Sequence, residues 1–139
     1  MKIIVLVACG AQKSDSRQKA KDLYTGSIFK RNWKELQNEY PESEKYIISS
    51  KYGLVGADQL IDPYDQNYPD KEIDLDNWAR QVVADLLKRG FDPLNDELVI
   101  YAAKRVGFAI INCFPVLKKY TIISFGWYGK KYVWSGSKP

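Results

Sequence analysis

Four short apolar runs alternate along the chain with segments whose apolar residues recur at helical spacing. The runs are Lys2–Ala8, Tyr46–Ser50, Glu97–Ala103 and Tyr120–Phe125. Apolar runs of this length, rich in β-branched residues, predict strands that are buried on both faces, as in a parallel sheet. A turn at residues 126–131 and the segment Tyr132–Trp134 predict an additional strand in a C-terminal hairpin.

Three segments between these runs predict helices, at residues 28–40, 76–90 and 106–117. The second has acidic residues at its start, basic residues in its last turn and a glycine stop. Residues 14–21 and 56–69 are polar and predict loops. The alternation of strands and helices predicts a single α/β domain over the whole chain, with a central parallel or mixed sheet flanked by helices in three layers.

The composition excludes several classes of protein. With 139 residues, of which 45% are hydrophobic and 27% charged, the chain suits one compact domain and not a disordered protein. The absence of histidine excludes histidine-dependent triads and the usual zinc sites, and we expect no metal and no cofactor. The net charge of +4 favours an anionic partner.

The sequence also bears on localisation. The N-terminal apolar run is too short for a secretory signal peptide, and no apolar segment approaches the roughly 20 residues that cross a bilayer. Cys9 and Cys113 are the two cysteines. We therefore expect a cytoplasmic protein with free thiols and no membrane partner.

The carboxyl ends of three predicted strands carry polar or basic residues, in the segments Cys9–Lys13, Ser49–Tyr52 and Ala103–Arg105. In open α/β sheets, ligands bind in the crevice outside these ends. If the sheet is parallel at its centre, the first two strands are neighbours and their loops form one pocket. The first loop lacks the glycine-rich patterns that bind phosphate, and a polar loop with Cys9 as a small buried residue fits it equally well.

Several motifs match a family pattern when taken in order. They are Cys9 with Lys13, Leu23-Tyr24 with Ser27 and Phe29, Ile47–Leu54, and Pro63-Tyr64-Asp65. Across about residues 3–87 they resemble DUF6884, a bacterial and phage family of unknown function. That family is similar, more distantly, to the peroxide-stress protein YaaA and to the catalytic part of archaeosine synthase, which implies work on modified nucleobases, nucleotides or nucleic acid. The chain departs from the pattern at Gly10, where serine is expected, and in its C-terminal third.

The resemblance leads to the hypothesis of an enzyme that acts on a nucleoside, nucleotide or modified nucleobase by cleaving or exchanging an N-glycosidic or related bond. Such a reaction needs an anion anchor, a ring that stacks on the base, and a carboxylate, amine or other nucleophile. The catalytic candidates are Lys51, Asp65 and Cys9. The candidate substrate-binding residues carry hydroxyls, rings or positive charge and are Lys13, Tyr24, Ser27, Ser49, Ser50, Tyr52, Tyr64, Lys104 and Arg105.

Some of these side chains have a second interpretation. Ser27 is expected to cap the helix at residues 28–40, where free N–H groups could hold an anion. Lys51 could be a surface lysine paired with Asp62 or Asp65, or be activated by Lys104 or Arg105. The loop at residues 62–65 could close over the pocket as a lid or simply cross the surface.

A different hypothesis is a non-catalytic module that binds DNA or RNA. Its support is the interleaving of aromatic and basic residues in the predicted hairpin, which includes Trp127, Tyr128, Lys130, Lys131, Tyr132 and Trp134. Such residues can stack bases and follow a phosphate backbone. The alternative is an aromatic hairpin that packs on its own sheet.

Overall fold

The protein, described by a computed structural model over residues 1–65 and 72–139, contains a six-stranded mixed sheet with helices on both faces. The strands are β1 (Ile3–Ala8), β2 (Gln18–Lys19), β3 (Glu44–Ser49), β4 (Gly53–Gly56), β5 (Leu60–Ile61), β6 (Glu97–Tyr101), β7 (Leu117–Phe125) and β8 (Lys131–Lys138). The helices are α1 (Ala20–Leu23), α2 (Ser27–Glu39), α3 (Glu72–Lys88) and α4 (Lys104–Asn112).

The sheet has the order β4-β3-β1-β6-β7-β8. Its four central strands are parallel, and β4 and β8 pair antiparallel at the two edges. Every residue from Ile4 to Val7 in β1 is buried, as expected for a strand covered on both faces. The α/β class and the C-terminal hairpin are therefore confirmed, and β1 and β3 are neighbours as predicted.

The two faces of the sheet have separate hydrophobic cores. On one face, α3 and α4 pack over alternate strand residues such as Leu6 and Ile100. On the other face, α1 and α2 pack over Val5 and Ile47, the residues that point the opposite way. The result is the predicted three-layer arrangement. None of the helices in the described part of the chain has the length and apolar character of a membrane-spanning helix.

The segments expected to be loops contain additional strands. Within residues 14–21, Gln18–Lys19 pairs antiparallel with Leu60–Ile61, and α1 begins directly afterwards. Leu60–Ile61 lies within the predicted loop at residues 56–69, and β4 (Gly53–Gly56), which was not predicted, ends where that loop begins and pairs with β3. Such short strands have no hydrophobic period of their own, because their pairing depends on a partner distant in sequence. The part of the predicted loop at residues 66–69 lies outside the described residues.

Candidate active site

The carboxyl ends of β3, β1 and β6 lie side by side, so the loops that follow them share one edge of the sheet. Cys9 follows β1 directly, and its backbone N–H donates to the Ile48 carbonyl of β3 at 3.2 Å. Its sulfur lies 4.0 Å from Ser50 Oγ. The first loop and the Ser-Ser-Lys-Tyr segment therefore meet at Cys9.

A buried hydroxyl network occupies this edge. Tyr64 Oη lies 2.6 Å from Ser49 Oγ and 2.6 Å from Tyr24 Oη, and it donates to Cys9 Sγ at 3.7 Å. Ser49 is fully buried at the end of β3, and its carbonyl accepts the indole N–H of Trp78 at 3.0 Å. The structure thus brings together four of the predicted site residues from four segments of the chain.

The hydrogen bonds of this network have a defined direction. Ser49 Oγ accepts the backbone N–H groups of Lys51 and Tyr52 at 3.2 and 3.0 Å, and these occupy its two acceptor positions. Its own proton is therefore donated to Tyr64. Since the Tyr64 proton is directed at Cys9 Sγ, the bond between the two phenols must be donated by Tyr24. The network as a whole points one hydroxyl donor at the Cys9 sulfur.

Burial keeps both phenols protonated. It raises the pKa of Tyr64 to about 12, and the nearby Cys9 sulfur adds to the effect. The pKa of Tyr24 rises further above its ordinary value, again because of burial first and Cys9 second. Both hydroxyls are therefore hydrogen-bond donors at neutral pH, consistent with the direction derived from Ser49.

Lys13 lies on the outer side of the network. An antiparallel bridge with Tyr24 holds its backbone, and the hydrogen bond from Ser14 N to Leu23 O at 2.8 Å extends this pairing. Its Nζ sits 4.3 Å from the centre of the Tyr64 ring and donates to the Ala11 carbonyl at 3.0 Å. The amine therefore lies over the face of the Tyr64 ring, whose hydroxyl takes part in the network.

An open polar pocket of about 370 Å³ surrounds this amine. Its walls include Lys13, Ser14 and Asp15 on one side and Pro63, Tyr64 and Asp65 on the other. Residues 62–65, expected to be a lid or a surface crossing, are anchored here by the buried Tyr64 side chain and form one wall of the pocket. The pocket offers one amine, two carboxylates and a hydroxyl to a polar group.

Lys51 stands at the turn between β3 and β4, exposed to solvent. Its Nζ is 5.2 Å from the centre of the Tyr52 ring and 6.0 Å from that of Tyr64. It forms no ion pair with Asp62 or Asp65, which contradicts the interpretation as a paired surface lysine. Tyr52 packs edge-on against Tyr64, and its hydroxyl is 3.5 Å from the Asp62 carbonyl.

A second, apolar cavity of about 270 Å³ opens on the other side of Cys9. It lies at the carboxyl ends of β1, β6 and β7, between the first turns of α2 and α4. Apolar side chains dominate its lining: Ala8, Ile28, Phe29, Ala102, Ala103, Val106, Ile123 and Phe125. Cys9 also lines it, so this one residue borders the cavity and bonds to the hydroxyl network.

Asn32 is a buried polar lining residue that sequence reasoning missed. It is only 6% exposed and lies on the apolar face of α2, three residues after Phe29 and four before Leu36. A polar side chain on a helix face that is otherwise apolar is a signal readable from sequence, because such a residue needs a partner or a function. Its carboxamide oxygen has no hydrogen-bond partner among the described residues.

Three predicted site residues stand away from the hydroxyl network. Ser27 is exposed and is the first residue of α2, so the predicted cap is wrong: Gly26 holds the capping position and supplies no side-chain hydrogen bond. Lys104 begins α4 and extends over the Trp134 ring of β8, with Nζ 5.3 Å from its centre. The neighbouring Arg105 is exposed at the same helix end.

The described aromatic side chains of the C-terminal hairpin divide into two groups, and the Trp127 side chain lies outside the described residues. Trp134 is half-buried against Phe108 and packs on its own sheet, and Tyr132 stacks on Trp134 with 6.2 Å between the ring centres. Lys131 Nζ forms an ion pair with Glu35 Oε1 of α2 at 3.4 Å. Tyr128, in contrast, is fully exposed at the tip of the hairpin with a positive φ of 59°.

Among residues 1–65 and 72–139, no group of three acidic or cysteine side chains is arranged to hold a metal ion.

Comparison with known proteins identifies the family of this chain. No curated protein and no solved structure matches the chain. A family model matches residues 4–121 and so extends past α4 into β7, beyond the motifs that the sequence first suggested. The chain belongs to DUF6884, a family of unknown function.

Proposed function

We propose that the protein is an enzyme that acts on a nucleoside, nucleotide or modified nucleobase. The position of Cys9 carries the proposal. Its side chain lines an apolar cavity on one side and accepts a hydrogen bond from Tyr64, a wall of the polar pocket, on the other. A molecule with a flat apolar part and a polar part, joined by a bond near Cys9, matches this arrangement.

In this proposal the base occupies the apolar cavity, and the ribose or phosphate occupies the polar pocket. In the cavity the ring would lie against Phe29 and Val106, apolar lining residues that suit an uncharged heterocycle. Lys13 lies where it would hold an anionic group, with the Tyr64 ring beneath it. The substrate class itself comes from the weaker resemblance to YaaA and to the catalytic part of archaeosine synthase, and no curated protein matches the chain.

The reaction assigned to the site is cleavage or exchange of the bond between the base and the sugar. In hydrolysis, the C1′–N bond breaks with its electron pair on the base nitrogen, which takes up a proton, and water adds to C1′ after losing a proton. Asp65, which lines the polar pocket, would accept that proton or stabilise the positive sugar. Cys9 and Lys51 are the candidate nucleophiles, and Tyr64, whose hydroxyl donates to Cys9 Sγ, is the candidate proton donor.

A nucleic-acid-binding module has less support. Trp134 packs against Phe108 on its own sheet, Tyr132 stacks on Trp134, and Lys131 is paired with Glu35. A surface that stacks bases needs rings whose faces are open to solvent. Of the aromatic residues that suggested this hypothesis, Tyr128 is fully exposed and Tyr132 partly so.

The test is a mass-spectrometric screen of nucleosides, nucleotides and deazaguanine derivatives for products made by the purified protein. For a substrate that turns over, we expect Cys9→Ala or Asp65→Asn to reduce kcat/KM by about a hundredfold or more, the usual contribution of a reacting group. Cys113→Ala is the matched control, because Cys113 lies at the end of α4 on the other core. Full turnover in Cys9→Ala, Asp65→Asn and Lys51→Ala would refute the assignment.

A further inference from the structure

We infer that Asn32 is the residue that recognises the ligand in the apolar cavity, and that this ligand is a planar heterocycle with adjacent hydrogen-bond donor and acceptor atoms. The inference rests on the proposed function for the class of molecule and adds the residue that selects it. A purine or 7-deazapurine edge has this arrangement of atoms.

The first reason is the state of the Asn32 side chain. It lines the cavity, it is more than nine-tenths buried, and its Oδ1 has no partner among the described residues. A buried carboxamide oxygen without a hydrogen bond is unfavourable, and native structures contain few such groups. Because χ2 of asparagine is a broad, roughly two-fold torsion, the carboxamide can turn its oxygen or its NH₂ group toward a ligand. A bound molecule with a donor atom would supply the missing partner.

The second reason is the electrostatic character of the cavity wall. The first turns of α2 and α4 both border the cavity, and neither helix has a side-chain hydrogen bond at its N-cap. In α2 the first intrahelical bond runs from Lys30 N to Gly26 O, so the N–H groups of residues 27–29 are those that a helix leaves without an intrahelical partner. Two helix N-termini favour the electronegative atoms of a ligand, such as ring nitrogens or carbonyl oxygens.

The third reason is that the apolar lining of the cavity disfavours a charged ligand. Alanine, isoleucine, valine and phenylalanine side chains form most of the wall, and a free phosphate would lose its hydration there without enough partners. Phe29 and Phe125 are the aromatic residues of the lining, and the Arg31 guanidinium covers one face of Phe125 at 3.9 Å from its centre. A neutral ring with a polar edge fits both the apolar wall and the single carboxamide.

The experiment measures binding of adenine, guanine, 7-deazaguanine, toluene and inorganic phosphate by calorimetry to the wild type, Asn32→Leu and Asn32→Ala. Leucine has the branched shape of asparagine but a somewhat larger volume, whereas alanine enlarges the cavity, so a purely steric effect would move the affinities of the two variants in opposite directions. We expect both to weaken binding of the preferred base by about tenfold or more, the cost of one lost base-edge contact, with no loss for toluene. Asn38→Leu, on the exposed side of α2, is the control.

A second readout follows the Asn32 side chain itself. Its NH₂ signals in a ¹⁵N-labelled sample, identified by their absence in Asn32→Leu, should shift on adding the base and not on adding toluene. Unchanged affinity in Asn32→Ala, preference for phosphate, or no binding of any heterocycle would overturn the inference. Binding that depends on Asn32 without any turnover would refute the proposed enzyme alone. Turnover that is unaffected by both substitutions would refute the role of Asn32 alone.

Discussion

The Tyr64 hydroxyl contacts three side chains that come from three other segments of the chain. It receives hydrogen bonds from Ser49 and Tyr24 and donates to Cys9, so its acceptor and donor positions are all occupied. Because two of these hydrogen bonds join it to buried side chains, the Tyr64 hydroxyl contributes to the stability of the fold as well as to the site. Its removal should therefore affect stability in a way that separates it from its exposed neighbour Tyr52.

We expect Tyr64→Phe to lower the free energy of unfolding by about 1–3 kcal/mol, because the buried Ser49 and Tyr24 hydroxyls lose their shared partner. Urea denaturation followed by circular dichroism measures this. Tyr52→Phe is the matched control: Tyr52 is 37% exposed and its hydroxyl makes only a 3.5 Å contact, so the change should stay within about 0.5 kcal/mol. Equal effects of the two substitutions would contradict the hydrogen-bond network.

At the scale of elements, the turn between β3 and β4 determines where the site residues lie. β4 pairs with β3 from Tyr46 to Ser49, and Gly53 closes the turn with a φ of 71°. The same turn directs the N–H groups of Lys51 and Tyr52 at Ser49 Oγ. The local backbone thus sets the direction of the hydroxyl network described above.

Gly53→Ala should destabilise the protein by about 1–2 kcal/mol, since a residue with a Cβ atom is strained in the left-handed conformation. The new Cβ would meet its nearest neighbour at 4.0 Å, so strain and not a clash is the cause. Gly56→Ala, at the other end of β4 and without a positive φ, should have a smaller effect. Thermal unfolding of the two variants tests this, and a Gly53→Ala protein as stable as Gly56→Ala would argue against a strained turn.

At the scale of the whole molecule, three buried tyrosines make the free energy of unfolding depend on pH in the alkaline range. Burial raises the pKa of Tyr64 to about 12 from the ordinary value of 10.0, and it raises those of Tyr24 and Tyr101 further. For Tyr101, the nearby Glu35 adds to the effect of burial. The folded protein therefore keeps protons that the unfolded chain releases.

The unfolded chain loses these protons above pH 10, so stability should fall as the pH rises through and beyond that value. Each buried phenol contributes a slope of at most about 1.4 kcal/mol per pH unit, and the contribution of Tyr64 levels off near pH 12. Urea unfolding at a series of alkaline pH values, with phenolate absorbance recorded in parallel, measures the effect. Tyr64→Phe should show a shallower decline than the wild type, and an identical decline would contradict the raised pKa of Tyr64.

The sequence by itself determined the fold class. The buried strands β1, β3 and β6 and the helices α2 and α3 have a hydrophobic period that local sequence carries, and the apolar runs alone favour a parallel sheet. The motifs around Cys9 and Ser49–Tyr52 fall at carboxyl strand ends for the same reason, so their proximity was predictable. Family membership followed from the same segments.

Tertiary structure decided the details of the site. Tyr24, Ser49 and Tyr64 meet at one hydroxyl although 40 residues separate the first from the last, and no local pattern encodes that distance. Likewise, Asn32 lines a cavity only because residues at the carboxyl ends of β6 and β7 form other parts of the cavity wall. Lys104 contacts Trp134 because β8 returns beside β7. Local sequence sets hydrophobic period and turn geometry, whereas burial, hydrogen-bond partners and cavity walls arise from contacts between residues far apart in the chain.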